Sequence, residues 1–388
     1  MDERWGGGVR RPGAGGAHPP VPHAANCITT TPGARWTLVA VPGNTLGRLA
    51  MTSTLTRERL AALRPVLERP GPLVILPHDN PDPDAMACAA ALRHIAYELC
   101  EKEAVIALGG IVGRAENRAM RTYLNINLIP VAEIEFDAGV QVALVDTQPG
   151  RPNNSLPEGI VPVIVIDHHP AYADYGHLPF VDLREGYGAT ATIMTEYLRE
   201  AKVPIESKLA TALFYGIAAE TQDLGREATP ADIEASHFLY PHTNKRRLAK
   251  IENARVPREY FRVFRDAIDR ATLYDRAVIS ILGEVQYPDM AAEVADFLLR
   301  LDQVEWAAAL ATYRGCLHCS VRTTERDVNA GEILRRVLGA KSAGGHDMIA
   351  GGRIPVGNDP QARQRAASAV RDKLLAELGI EDEGRSLV

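Results

Sequence analysis

The sequence predicts an α/β protein. A mostly parallel sheet with helices on both faces is expected first, then a smaller α+β domain, with a cleft between the two. Three observations carry this. From residue 73 onward, short apolar runs alternate with helical patterns, the rhythm of βαβ units. Three of the predicted strands end in acidic or histidine residues, and ligands bind at the carboxyl ends of strands in open α/β sheets. After residue 276 the rhythm changes to strand, helix, hairpin and helix.

The first strand, 73–76, is a four-residue apolar run, Leu73-Val74-Ile75-Leu76, consistent with burial on both faces. It leads into His78-Asp79-Asn80-Pro81-Asp82-Pro83-Asp84, too acidic and too rich in proline to continue a strand. A helix is expected from about Asp84, over 85–100. Strand 104–108, a helix over 113–123, and strand 140–145 ending in Asp146-Thr147 follow. Strand 161–166 ends in Asp167-His168-His169-Pro170, and helices are expected over 189–200 and 205–217. A helix over 255–270 connects to the second unit. There the expectations are strand 277–282, helix 290–299, a hairpin of 306–313 and 316–324 turning at Arg314-Gly315, helix 329–338 and a closing helix over 362–378. The resulting division is a disordered extension over 1–50, a first domain over 51–254, a linker helix over 255–275 and a second domain over 276–388. The extension is rich in Gly, Pro, Ala and Arg without periodicity, and Met51, just before a helix patterned over 56–68, is a second candidate start.

With 388 residues, 46% of them hydrophobic and 24% charged, the composition is that of a soluble globular protein. No apolar run reaches membrane-spanning length, so no membrane partner is expected. A net charge of −6 argues against a coat for long nucleic acid, but not against a small anionic substrate. Five scattered cysteines fit a reducing cytoplasm rather than a disulfide framework. Cys316 and Cys319 lie three apart in a predicted strand and so point to opposite faces, which argues against zinc.

Carboxylates crowded onto neighbouring loops repel one another unless a cation neutralises them. Imidazole and carboxylate without thiolate suit Mn²⁺ or Mg²⁺. The candidates are His78, Asp82, Asp84, Asp146, Asp167 and His168, more than one ion needs. They suit two ions sharing a carboxylate, an arrangement used for phosphate ester hydrolysis. Asp146 is the expected bridge, since it stands at a strand end without a histidine neighbour. Asp84 has a rival role as cap of the following helix, and Asp79 is assigned to an outward turn.

These segments resemble the DHH phosphoesterases. His78 to Ala85 is similar to the family's first motif, Val145-Asp146-Thr147 to the second, and Asp167-His168-His169 is the triplet that names the family. Gly344-Gly345-His346, with Ala350-Gly351-Gly352 behind it, resembles the glycine-rich motif of the associated C-terminal domain. The resemblance covers about residues 60–378 and is greatest to the oligoribonuclease and pAp-phosphatase (nanoRNase) branch. It implies two Mn²⁺, with Mg²⁺ or Co²⁺ as substitutes, in a cleft between the domains. His78 and Asp82 would hold one ion and Asp84 the other, with Asp146 bridging. Asp167 and His168 would complete the second site or orient the attacking water, with His169 beside them. Asp146, Asp167, His168 and His169 are thus the implied catalytic set. Arg322, His346 and the flanking Gly344 and Gly345 would hold the terminal phosphate and base side of a short oligonucleotide or nucleotide. A homodimer is compatible with the resemblance.

One departure stands out. Where the family carries Asp-Thr after Gly-Ile, this chain has Glu220-Thr221 after Gly216-Ile217-Ala218-Ala219. Glu220 is one methylene longer, so either the second ion sits slightly displaced, or Asp223 assists, or activity is reduced. The alternatives to an oligonucleotide or pAp hydrolase are a linear or cyclic dinucleotide phosphodiesterase, an exopolyphosphatase-like hydrolase, and a nucleotide-binding protein with weakened catalysis. Arg114 and Asn117, on a segment following a strand, are further candidates for substrate contact, and Gly188-Ala189-Thr190 could offer helix-start N–H groups to phosphate.

Overall fold

A computed structural model describes residues 45–388 except Ala138, Arg226, Glu227 and His346, with side chains described from Thr54 onward. The expected extension over 1–50 therefore lies largely outside the described residues. Its end does not: the first helix, α1, is Thr45–Leu67, because Leu, Arg, Ala and Met around residues 46–51 favour helix. Residues 49–388 form one compact unit.

The first half holds a six-stranded, wholly parallel sheet. Its elements run β1 (Leu73–Pro77), α2 (Pro83–Cys100), β2 (Ala104–Leu108), α3 (Ala115–Leu124), β3 (Ile129–Pro130), β4 (Gln141–Val145), β5 (Ile164–Asp167), β6 (Phe180–Leu183), α4 (Thr190–Glu200) and α5 (Ser207–Glu220). Helices α6 (Pro230–Leu239), α7 (Lys245–Glu252) and α8 (Arg258–Asp269) lead to the second half. Strand order is β3-β2-β1-β4-β5-β6, so the direction of winding reverses between β1 and β4. That reversal opens a crevice at the carboxyl ends of the two central strands.

Successive residues of β1 point to opposite faces, and both faces are apolar. Leu73 and Ile75 join Ala143, Val145 and Ile166 under α1 to α6. Val74 and Leu76 join Val142, Leu144 and Val165 under the irregular segments that carry Phe136, Ile160, Tyr175 and Leu178. Burying a strand on both sides fixes its register, and therefore the position of the loop that leaves it.

The second half is a seven-stranded mixed sheet. Its strands are β7 (Ala271–Tyr274), β8 (Ala277–Glu284), β9 (Trp306–Tyr313), β10 (Cys316–Thr323), β11 (Ala343–Gly345), β12 (Ile349–Pro355) and β13 (Arg385–Ser386). Helix α9 (Met290–Leu298) covers one face, while α10 (Ala330–Leu338) and α11 (Pro360–Glu377) cover the other. The hairpin turns at Arg314 and Gly315 as expected; both have positive φ, which a two-residue turn of this type needs. Cys319 is buried in the core of this sheet, and no metal-ligating group forms around it among the described residues. No helix among the described residues is long and apolar enough to cross a membrane.

Candidate metal centre

The loop leaving β1 sorts its polar residues into two sets. Asp79 turns away from the crevice: its N–H donates to the Asn153 carbonyl at 2.6 Å and its Oδ1 accepts from Ser155 Oγ at 2.7 Å. Asn80 takes a positive φ of 55° and its Oδ1 accepts from Ile111 N–H, tying the loop to the segment after β2. His78 Nδ1 lies 3.0 Å from the Asp79 carbonyl, so it donates there and turns Nε2 inward. That Nε2 is 3.4 Å from Asp82 Oδ2 and 3.6 Å from Asp146 Oδ2.

The capping expectation for Asp84 is corrected here. Asp82 is the N-cap of α2, with Oδ1 accepting from Ala85 N–H at 3.0 Å and Pro83 opening the helix. Asp84 lies in the first turn, 1% exposed, and its two oxygens accept from Thr190 N–H and Ala191 N–H, each at 2.8 Å. The start of α4 has no side-chain cap of its own, and Asp84 supplies the anion it lacks. A buried unsatisfied N–H costs about 1–3 kcal/mol, so two such bonds are reason enough for a carboxylate here. One correction follows. Thr190 and Ala191 cannot offer those N–H groups to phosphate, and Gly188 N–H is likewise taken by Asp232 Oδ2 at 2.9 Å. Asp84 itself stands beside the two compact ligand groups described below, where Asp146, His168 and Asp82 act on its carboxyl.

Asp146 follows β4 with φ 58°, a left-handed conformation rare for a non-glycine residue. Its N–H is held by the Ile166 carbonyl at 2.9 Å, so the neighbouring strand imposes the turn. Its Oδ1 accepts from Thr190 Oγ1 at 2.8 Å and lies 3.7 Å from His168 Nε2 and 3.9 Å from His169 Nδ1. Its Oδ2 faces His78. Asp167, ending β5, accepts from His169 Nδ1 at 2.8 Å and from Gln148 Nε2 at 2.7 Å. His168 Nδ1 is set against the Tyr187 carbonyl at 3.0 Å; its Nε2 is buried without a hydrogen-bond partner.

Two groups of donor atoms result, each lying within 4.8 Å: Asp146, Asp167, His168 and His169, and His78, Asp82 and Asp146. Asp146 belongs to both. The orphaned His168 Nε2, the oriented His78 Nε2 and an all-oxygen and imidazole donor set fit divalent cations. The electrostatics agree. Burial, then Asp146 and the other carboxylates around it, drive Asp84 well above the usual range, and burial with Asp82 raises Asp146. Burial works against a proton on His168, but Asp146, Asp84 and Glu220 outweigh it and raise the imidazole to about 9. Burial also opposes ionisation of Asp82, but His78 prevails and holds it at about 2. Protons on histidine stand in for the positive charge this cluster needs.

Glu220 ends α5 half-exposed. Its carboxyl is raised by burial and by Asp82, and lowered by His168 and His169, which places it beside the cluster but outside the two compact groups. Asp223 is not gathered in. It is exposed with φ 56°, and its charge is felt by Tyr215 and Glu252 instead. A left-handed run over Gln222, Asp223 and Leu224 carries the chain away where a continued helix would have turned Asp223 inward.

Gln148 was not anticipated. It is fully buried, holds Asp167 and reaches the carbonyls of His169 and Pro170 at 3.2 Å, while its Oε1 accepts from Tyr172 N–H. Its only signal in the sequence is its position two residues after Asp146.

In the second half, Arg322 on β10 is buried and donates from Nε to Asp296 Oδ1 at 2.5 Å and from Nη1 to Ser320 Oγ at 2.8 Å. Arg114, at the start of α3, meets the other oxygen of Asp296 at 3.3 Å. Asn117 is 3% exposed and its Oδ1 has no hydrogen-bond partner. Gly345, at φ 148°, has no room for a side chain, since a Cβ would meet the Ile349 carbonyl at 2.2 Å; Gly344 faces open space. His346 lies outside the described residues.

Residues 72–217 match the DHH family, N-terminal domain, and residues 275–374 match the DHHA1 domain. An uncharacterized protein of Methanocaldococcus jannaschii is 35% identical over 81% of this chain and 66% of its own length. A probable manganese-dependent inorganic pyrophosphatase of Enterococcus faecalis is 27% identical over 43% of this chain and 54% of its own. The chain thus spans only about half to two thirds of the curated relatives it matches. The crystal structure of an exopolyphosphatase-related protein from Bacteroides fragilis superposes with a TM-score of 0.61, at 13% identity, over 83% of this chain and 98% of that one, which establishes likeness of fold alone.

Proposed function

The chain belongs to the DHH family, with a DHHA1 domain following, and on that premise we propose that it is a two-metal phosphoesterase acting on short oligonucleotides or 3′,5′-bisphosphate nucleotides. The observation that carries this reading is the double membership of Asp146, whose two oxygens face separate ligand groups. His78, Asp82 and Asp146 would hold one ion. Asp146, Asp167 and His168 would hold the second, with His169 beside it. The relatives named as manganese-dependent pyrophosphatases support Mn²⁺. Bound there, the ions would supply a water of lowered pKa and positive charge for the phosphoryl oxygens.

The protein's own groups do the rest. Thr190 Oγ1 donates to Asp146 and keeps its carboxylate from rotating. Gln148 holds Asp167, and Asp167 in turn fixes the proton of His169 at Nδ1. Arg322 and Arg114 supply charge for a substrate phosphate, and Gly344 leaves open space where a side chain would stand.

The reading is tested by incubating the full chain and Mn²⁺ with a labelled dinucleotide, a long single strand, pAp, a linear diadenylate and polyphosphate. Turnover of the dinucleotide or pAp with the long strand spared supports it. Turnover confined to the diadenylate or to polyphosphate moves the assignment to the corresponding alternative. Nucleotide binding without hydrolysis at saturating Mn²⁺ leaves the catalytically weakened reading, with Glu220 as its cause.

A further inference from the structure

The two arginines expected to meet a substrate phosphate, one in each half of the molecule, hold the same carboxylate. Asp296 on α9 binds Arg322 through Oδ1 at 2.5 Å and Arg114 through Oδ2 at 3.3 Å. Two arginines converging on two oxygens of one anion is also how a terminal phosphate is held. We infer that Asp296 is an internal competitor for substrate phosphate: it occupies the arginine pair in the ligand-free protein and is displaced when a phosphate monoester binds. The inference rests on the reading of Arg114 and Arg322 as phosphate ligands.

Three features favour displacement over a fixed structural pair. The Asp296 side chain is 37% exposed, and Arg114 28%, so solvent reaches the contact although Arg322 is buried. Arg114 carries an excess of negative neighbours. After burial, Asp296 leads the groups acting on it, and Glu293, Asp289 and Glu116 add to it, Glu116 at 4.0 Å. Arg114 thus keeps carboxylate partners when Asp296 leaves, and a second anion is repelled unless Asp296 does leave. Finally, Asp289 is acted on by Arg114 and also by His78 and Asp82, so Arg114 shares a neighbour with the metal centre. A phosphate taking the place of Asp296 would be gripped from both halves at once. A substrate without a terminal phosphate monoester would not replace the carboxylate, and Asp296 would then act as a specificity-determining residue for the substrate's charged end.

The test is calorimetric and does not depend on turnover. The full chain is titrated in EDTA with inorganic phosphate and with adenosine 5′-monophosphate. Asp296→Asn keeps the size and hydrogen-bonding oxygen but removes the charge; it is expected to bind both about tenfold more tightly, with Asp296→Ser as a second variant free of the amide. Adding Arg114→Ala or Arg322→Ala to Asp296→Asn is expected to erase the gain. Equal or weaker binding in both Asp296 variants would overturn the inference and make Asp296 a residue that positions Arg322. The reading it rests on fails separately. If Arg114→Ala and Arg322→Ala bind phosphate as the unaltered chain does, the arginines are not phosphate ligands. If hydrolysis of a dinucleotide with Mn²⁺ is absent while the tightening persists, the competitor stands and the assigned reaction falls.

Discussion

The metal centre and the arginine pair are both charged, and they are built in opposite ways. Around Asp146 the ligands are held by groups that cannot move far: the Ile166 carbonyl on the Asp146 backbone, the Tyr187 and Asp79 carbonyls on His168 and His78, the Thr190 hydroxyl on Asp146 and the buried amide of Gln148 on Asp167. The surplus there is of negative charge, and among the described residues the groups set against it are histidines. Around Asp296 the carboxylate is already paired with two arginines, and Arg114 and Asp296 itself have solvent access. The first region is rigid and electrostatically unsatisfied, which is how a cation site is kept ready. The second is satisfied and yielding, which is how an exchangeable anion site is kept closed until its ligand arrives.

If the contrast is correct, perturbing the rigid region has the larger effects. Asp146→Ala removes the group common to both donor sets, and Mn²⁺-dependent turnover is expected to fall on the order of a thousandfold or more, measured as kcat/KM. Gln148→Ala leaves all donors in place but releases Asp167; Mn²⁺ affinity is expected to weaken about 10- to 100-fold by calorimetry, the usual cost of losing a group that orients a ligand. Mn²⁺ binding unchanged in this variant would show that Asp167 needs no support.

The pH response tests the surplus charge itself. His168 is raised from its ordinary value to about 9, so its contribution to stability is complete below pH 6.5 and is lost as pH rises through 9. Asp84 and Asp146, raised carboxyls, are costlier once ionised, so they act in the same direction. The metal-stripped chain should therefore melt at lower temperature as pH rises from 6.5 to 9, and saturating Mn²⁺ should flatten that slope. A metal-stripped Tm that climbs over this window would contradict the account. The smallest effect is reserved for Asp223→Ala, expected to leave kcat/KM within about twofold because this exposed residue faces away from the cluster.

Much of this was legible in the chain. Apolar runs such as 73–76 and 142–145, bounded by turn residues, read as doubly buried strands, and the register they impose carries His78, Asp82 and Asp146 to one edge. The hairpin at Arg314-Gly315 followed from its turn residues. What escaped was what tertiary contact decides. Strands β3 and β13 are two residues long and β7 four, too short for period or composition to mark them. The role of Asp84 depends on a helix start more than a hundred residues away, at Thr190. Gln148 is a neutral residue in a turn, and nothing local distinguishes it. Asp223 turns inward only if the helix continues past Glu220, and a left-handed run ends it there.

The central claim is that Asp146 joins two cation sites. It is tested most directly by titrating the metal-stripped chain with Mn²⁺ in a calorimeter, alongside Asp146→Ala and a circular dichroism control for folding. The account predicts two ions per chain, and marked weakening of both in the variant. One ion per chain, or a folded variant in which one site keeps its original affinity, would contradict it.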